Sequence, residues 1–267
     1  MIIEHIKHQL KNIPLSNTDL RIGYIKEVLQ HYILMHIYEQ TYAKNIRFYG
    51  GTALRILHGL DRLSEDLDFV GIWFDRYEEL GNSLVKFFKR HDLEVTMKTK
   101  YFRIKLFFRD FLEQFWLSFG NSHMLMLKIE ISDHFAFAHD YTIQPFVVKK
   151  YGTSSIINSF SLEDLMGTKL NAVLYRERTQ ERMWVSFKWR DYYDLFRYLT
   201  QKVKPHLGTI DGVDDYDTLK QLLSDKINNI DIDQACLDIK KFIETPQALE
   251  QFRTYAKIFM LWEIAKW

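Results

Sequence analysis

A mixed β-sheet flanked by helices, followed by a helical C-terminal lobe, is the α/β (α+β) fold that this chain predicts. Three observations carry it. Residues 93–148 contain several short runs in which apolar and polar side chains alternate, the mark of half-buried strands. Ahead of them, Ile25, Val28, Leu29, Tyr32, Ile33, His36 and Ile37 recur at helical spacing. From Ser161 onward the patterns are long and helical with no further strong strand signal, which puts a boundary near 158–160 and divides the chain into 1–159 and 160–267.

In order along the chain, the first helix spans about 24–42, with Asp19 as a cap upstream. Arg47-Phe48-Tyr49 reads as a short strand stopping at Gly50, 52–58 as the helix that follows the turn, and 66–70 as a second strand. Between 76 and 90 the segment is amphipathic, with Leu80, Leu84, Phe87 and Phe88 inward. Strands are expected over 93–98, 102–108 and 124–132, and 141–148 extends the same sheet. Ser161 is placed to cap a helix running to about Arg176, with Glu163 and Asp164 at its positive end. A second helix starts near Trp189 and continues through Leu199, and 214–227 and 233–266 supply the rest. The chain contains no internal repeat, low-complexity tract or long linker.

Composition narrows the class. Hydrophobic residues make up 47% and aromatics 15%, which argues against disorder and for a helix-rich globule with a sizeable core. Cys236 is the only cysteine, so an intrachain disulfide and a cysteine-based zinc cluster are both excluded, in keeping with a reducing compartment. The opening residues, Met1-Ile2-Ile3-Glu4-His5-Ile6-Lys7, lack the basic-then-apolar order of a secretory signal. The longest uncharged run, 114–127, is too short to span a bilayer. A cytoplasmic protein with no membrane partner is expected. Formal net charge is +1, so any grip on nucleic acid must be local. Lys98, Lys100, Arg103, Lys105 and Arg109 form one basic patch, read here as an ordinary solvated face, and Arg176, Arg178, Arg182, Lys188 and Arg190 form another.

The chemistry concentrates in Gly50-Gly51-Thr52 and Arg62-Leu63-Ser64-Glu65-Asp66-Leu67-Asp68-Phe69. If Leu67 and Phe69 are buried on one face of a strand, Asp66 and Asp68 project together from the other. Two such carboxylates repel unless cations lie between them. Magnesium takes oxygen ligands and bridges carboxylates to the phosphates of a nucleotide, which points to phosphoryl or nucleotidyl transfer. A helix that starts directly after the glycine turn offers unpaired N–H groups and partial positive charge to a triphosphate. Taken separately, the two glycines are also consistent with a plain turn, and the acid pair with a solvated strand end.

Together, Gly50-Gly51-Thr52-Ala53-Leu54 and Arg62-x-Ser64-x-Asp66-Leu67-Asp68-Phe69 resemble the signature of the AbiEii/AbiGii-type toxins of the polymerase-beta-like nucleotidyltransferase superfamily. Lys169 and Arg190-Asp191-Tyr192-Tyr193-Asp194-Leu195 resemble the lysine and the (Arg/Lys)-Asp-x-x-Asp-Leu motif that follow, extending the likeness over most of residues 48–199. The resemblance implies a nucleotidyltransferase-type sheet with the active site in the cleft before the helical lobe. Asp66 and Asp68 would hold magnesium (or manganese), and Gly50, Gly51, Thr52, Arg62 and Ser64 would hold the nucleoside triphosphate. Lys169 would neutralise phosphate charge with Asp191 beside it. It further implies the toxin of a toxin–antitoxin, abortive-infection system that transfers a nucleotide to an acceptor hydroxyl, such as the 3′ end of tRNA, with an antitoxin as partner.

Sites of this superfamily also contain a third acid on a neighbouring strand. In 126–132, Leu127, Ile129 and Ile131 alternate with Lys128, Glu130 and Ser132, which makes Glu130 the candidate for sharing the metal or accepting the proton, with Asp133 as the fallback. A surface Glu130 paired with Lys128 is the other reading. Two rival functions remain open: transfer to a small-molecule or protein hydroxyl, and a catalytically inactive nucleotide- or RNA-binding module of the same fold.

Overall fold

Ile2, Ile6 and Leu10 recur on one face of a nine-residue helix, α1 (Ile2–Leu10), and all three are buried. α2 (Thr18–Tyr38) is capped by Asn17, whose side chain accepts the Leu20 amide, so the helix begins well before residue 24 and Asp19 lies in its first turn rather than at its cap. These elements come from a computed structural model that describes residues 1–118, 120, 122–132, 141–176 and 188–267. Two units can be distinguished: one contains Met1–Gly59, Ile143–Ser159 and the stretch from Leu63 through the fifth strand, and the other contains Leu60–Arg62 and Phe160–Trp267.

In the first unit, β1 (Ile46–Tyr49) leads directly into α3 (Gly50–His58), and β2 (Asp66–Gly71) follows. Then come α4 (Tyr77–Lys89), β3 (Val95–Lys100), β4 (Arg103–Phe108), β5 (Leu125–Ser132), β6 (Ile143–Lys150) and β7 (Thr153–Phe160). The strands form one mixed sheet in the order β3-β4-β5-β2-β1-β7-β6, with β2–β5 and β1–β7 parallel and β1–β2, β3–β4 and β4–β5 antiparallel. Leu67 and Phe69 on β2 and Leu127, Ile129 and Ile131 on β5 are buried, and Phe48 and Phe69 stack across β1 and β2 with ring centroids 5.2 Å apart. Each such side chain taken fully out of water contributes roughly 1.5–3 kcal/mol.

The expected mixed sheet is present, with differences of detail. α3 starts at Gly50 rather than at residue 52. α1 and β7 are additional elements; β7 reads Thr-Ser-Ser-Ile-Ile-Asn-Ser-Phe, without clean alternation, and is held by its parallel partner β1 and by the Ser159 hydroxyl donating to the Phe48 carbonyl at 2.6 Å.

In the second unit, Ser161 caps α5 (Leu162–Tyr175) by accepting the Asp164 amide. α6 (Arg190–Thr200), α7 (Tyr216–Asn228), α8 (Ile232–Ile239) and α9 (Pro246–Ile264) follow. The pattern over 233–266 is therefore two helices, not one. Thr245 caps α9 and Pro246 occupies its first turn, where a missing N–H costs nothing, whereas inside a continuous helix it would break the hydrogen-bond ladder. Among the described residues, no helix is long and apolar enough to cross a membrane.

Candidate active site

The turn and the acid pair meet through one close approach. β1 pairs antiparallel with β2, bringing Tyr49 opposite Asp68, and the next residue, Gly50, has φ +80°, a left-handed conformation that favours glycine. A Cβ on Gly50 would lie 2.8 Å from Oδ2 of Asp68, so the carboxylate packs against the bare Cα. Thr52, buried in the first turn of α3, donates its hydroxyl to the Asp66 carbonyl and ties the helix to the strand. Tyr49 gives α3 no side-chain cap, which leaves the helix start to the kind of anion such amides bind. Ser64 is half-buried and its carbonyl accepts from Gln30 at 3.0 Å.

Strand register sets the neighbours of the acids. Asp66 and Asp68 alternate with buried Leu67 and Phe69, so both carboxylates share one face of β2. On parallel β5, Lys128 stands beside Asp66 and Glu130 beside Asp68. The Lys128 ammonium lies 2.9 Å from Oδ2 of Asp66 and 3.2 Å from Oε2 of Glu130, and Arg103 on β4 pairs with the other Glu130 oxygen. Burial would raise the Glu130 pKa, but Lys128 and Arg103 reverse that and hold it below the usual carboxylate value. For Lys128, burial would lower the pKa, and Asp66 and Glu130 outweigh it, so the ammonium stays charged.

Glu130 is beside the acid pair as anticipated, but both its oxygens already face cations, and a carboxylate so stabilised is a poor proton acceptor. Among the described residues, no three His, Cys, Asp or Glu side chains converge as metal ligands do. Asp66 and Asp68, hard oxygen donors sharing a face, still suit magnesium, which needs only one or two carboxylates when substrate phosphates complete its shell. The fallback, Asp133, lies outside the described residues. The pairing of Lys128 with Glu130 is the alternative that the strand alternation offered, and the further contact of Lys128 with Asp66 comes from the register of β5 with β2.

The second unit carries its own charge network. Lys169 of α5 lies 2.8 Å from Asp191 Oδ1 and 2.8 Å from Asp194 Oδ2, both on α6. Arg62 grips Asp194 with two nitrogens, each at 2.6 Å, and Arg176 pairs with Asp191 at 2.7 Å. Three cations thus surround two carboxylates in a largely buried cluster. Burial would raise the Asp194 pKa, but Arg62 and Lys169 bring it down to about 2. Burial would lower that of Lys169, and Asp191 and Asp194 raise it. Sequence reasoning placed Arg62 on the nucleotide; the structure closes its guanidinium fork on Asp194 at 3% exposure. Of the second basic patch, Arg178 and Arg182 lie outside the described residues, and Arg190 stacks over Phe242 at 4.6 Å.

A family model described as nucleotidyl transferase AbiEii toxin, Type IV TA system, matches residues 32–259, a span that holds the glycine turn, the acid pair, Lys169 and Asp191. The chain belongs to the AbiEii family. It is accordingly a nucleotidyltransferase of a toxin family. No curated protein matches. Among solved structures, JHP933 from Helicobacter pylori is similar with a TM-score of 0.54 and 18% identity, over 91% of this chain and 92% of that one. MenT4, a nucleotidyltransferase toxin from Mycobacterium tuberculosis H37Rv, gives a TM-score of 0.54 at 14% identity, over 97% of this chain and 89% of MenT4. At such identities these likenesses concern the fold, and they agree with the mixed sheet and helices of this AbiEii chain.

Proposed function

We propose that this AbiEii protein transfers a nucleoside monophosphate from a triphosphate to a hydroxyl at the 3′ end of tRNA or another RNA, with magnesium, and that a cognate antitoxin restrains it. The observation that carries the reading is Asp66 and Asp68 on one face of β2, with Asp68 packed against Gly50 at the start of α3. In it, the amides at the start of α3 bind the triphosphate and Asp66 and Asp68 bind the divalent ion, which when bound supplies charge neutralisation and polarises the phosphate. The acceptor oxygen forms a bond to the α-phosphorus, the α–β P–O bond breaks, pyrophosphate leaves with the electron pair and the hydroxyl proton passes to solvent. Lys128 and Arg103 hold Glu130, and through Lys128 they fix Asp66. In the second unit, Lys169 is held by Asp191 and Asp194, and a role for it on phosphate rests on the family resemblance. Most of the rate gain in this scheme comes from positioning and electrostatics.

Incubation with labelled nucleotides and total RNA tests it: wild type labels small RNA and Asp66→Ala does not. Absence of labelling by both proteins overturns the acceptor assignment. A non-catalytic binding module of the same fold is the alternative, and the Lys128 ammonium paired with Asp66 and Glu130 suits it as well. Calorimetry with each triphosphate and magnesium separates the two, because the catalytic reading requires binding that depends on the metal.

A further inference from the structure

The basic patch taken from sequence as a solvated face has a definite address. In register across the sheet, Lys100 pairs with Arg103, Arg103 with Glu130 and Glu130 with Asp68. One step along the strands, Lys98 pairs with Lys105, Lys105 with Lys128 and Lys128 with Asp66. Residues paired in register share a face, so two parallel rows run from the acid pair across β5 and β4 to β3. At the spacing of neighbouring strands each row is about 14 Å long. The opposite face is occupied: Thr99 bonds to Glu78 of α4, and Gly81 of α4 packs toward Met97 and Ile104. Lys98, Lys100 and Lys105 therefore point away from that helix, and all three are exposed. Among the described residues, Lys98 and Lys105 have no ion-pair partner.

Apolar side chains interleave with these charges. A third row on the same face joins Thr96, Phe107 and Met126, with Phe107 half-exposed and Met126 exposed. At the turn between β3 and β4, Tyr101 is 77% exposed with the Lys100 ammonium 5.5 Å from its ring centroid. Cations that track a backbone beside aromatic faces are the composition of a single-strand nucleic-acid platform, whereas an acidic protein would need the charges without the rings.

We infer that the face formed by Lys98, Lys100 and Lys105, continuous with the rows of Asp66 and Asp68, holds the phosphate backbone of a single-stranded RNA end and leads its terminal hydroxyl to the acid pair. This rests on the nucleotidyl-transfer reading above and adds the place where the acceptor lies. Anisotropy of a labelled single-stranded RNA, followed between about 50 mM and about 200 mM salt, tests it. The triple variant Lys98→Ala, Lys100→Ala, Lys105→Ala is expected to bind at least tenfold more weakly. Its log–log salt slope should be shallower by about 2, the loss of three phosphate contacts on a single strand. The corresponding triple Lys→Arg variant should bind like wild type. Equal affinity and slope in wild type and the alanine variant overturn the inference. So does failure of the arginine variant to bind, or displacement of RNA by polyglutamate at matched charge. Magnesium-dependent triphosphate binding, measured on the same proteins, reports the acid pair separately: its loss in wild type defeats the nucleotidyl-transfer reading, while a changed RNA slope alone bears only on this face.

Discussion

Arg62 and Asp194, 132 residues apart in the chain, form a two-pronged ion pair inside the second unit, with Nε and Nη2 each donating to one carboxylate oxygen at 2.6 Å. Both side chains are almost fully buried. Removing one partner strands the other as a buried charge, so Arg62→Ala or Asp194→Ala is expected to cost about 3–5 kcal/mol in chemical denaturation. Arg62→Lys should recover little, since an ammonium cannot reproduce the fork. A lysine variant as stable as wild type would show that charge alone is required.

Gly50 joins backbone conformation to the site. With φ +80° and Asp68 Oδ2 2.8 Å from where a Cβ would lie, Gly50→Ala must move the carboxylate or the start of α3. The expected result is a stability loss of roughly 1–2 kcal/mol from the strained backbone and a larger, at least tenfold, loss in magnesium-dependent triphosphate affinity by calorimetry. Unchanged nucleotide binding would separate the turn from the site.

Lys128 lies between Asp66 and Glu130 and offsets the charge of both. In Lys128→Met the cation between Asp66 and Glu130 is lost, while Arg103 stays on Glu130. The variant is expected to unfold earlier than wild type in chelator and to gain more than wild type from added manganese or magnesium in a thermal-shift titration. Equal metal responses would remove Lys128 from the electrostatics of the acid pair.

His31 predicts an acid limit for the first unit. It is 3% exposed, and burial, assisted by Lys150 and Arg55 against the opposing pull of Glu27, lowers its pKa from 6.5 to about 4. The unfolded chain therefore binds a proton that the folded chain refuses. Its contribution is intact above pH 6.5, declines as pH falls from 6.5 towards about 4, and by then amounts to a loss on the order of 3 kcal/mol. Unfolding curves across this range should show the decline in wild type and a flatter profile in His31→Phe. A slope unaltered by that substitution would assign the acid sensitivity elsewhere.

Legibility from sequence varied with the range of the interactions involved. The alternation of Asp66, Leu67, Asp68 and Phe69 was readable because it is a local property of a strand, and so was the Ser161 cap, whose partner amide is three residues away. β7 was not, because its serines and asparagine carry no alternating signal and its partner β1 lies about a hundred residues upstream. The solvated reading of Lys98 and Lys105 followed from composition, and both are exposed, whereas their alignment with Asp66 came only from register with β5. Pro246 carried the break between α8 and α9, a signal that the helical spacing over 233–266 masked.

Sequence alone determined the type of most elements, the family signature and the pairing of two acids on one strand face, since periods of 2 and 3.6 residues follow from backbone geometry whatever the rest of the chain does. Tertiary structure decided which charges those acids and the second-lobe lysine meet: Lys128 between Asp66 and Glu130, Arg103 on Glu130, and Arg62 with Lys169 on Asp194. Such partners are chosen by strand register and helix packing between distant segments, and a buried ion pair depends on the dielectric and geometry that only the folded neighbours create.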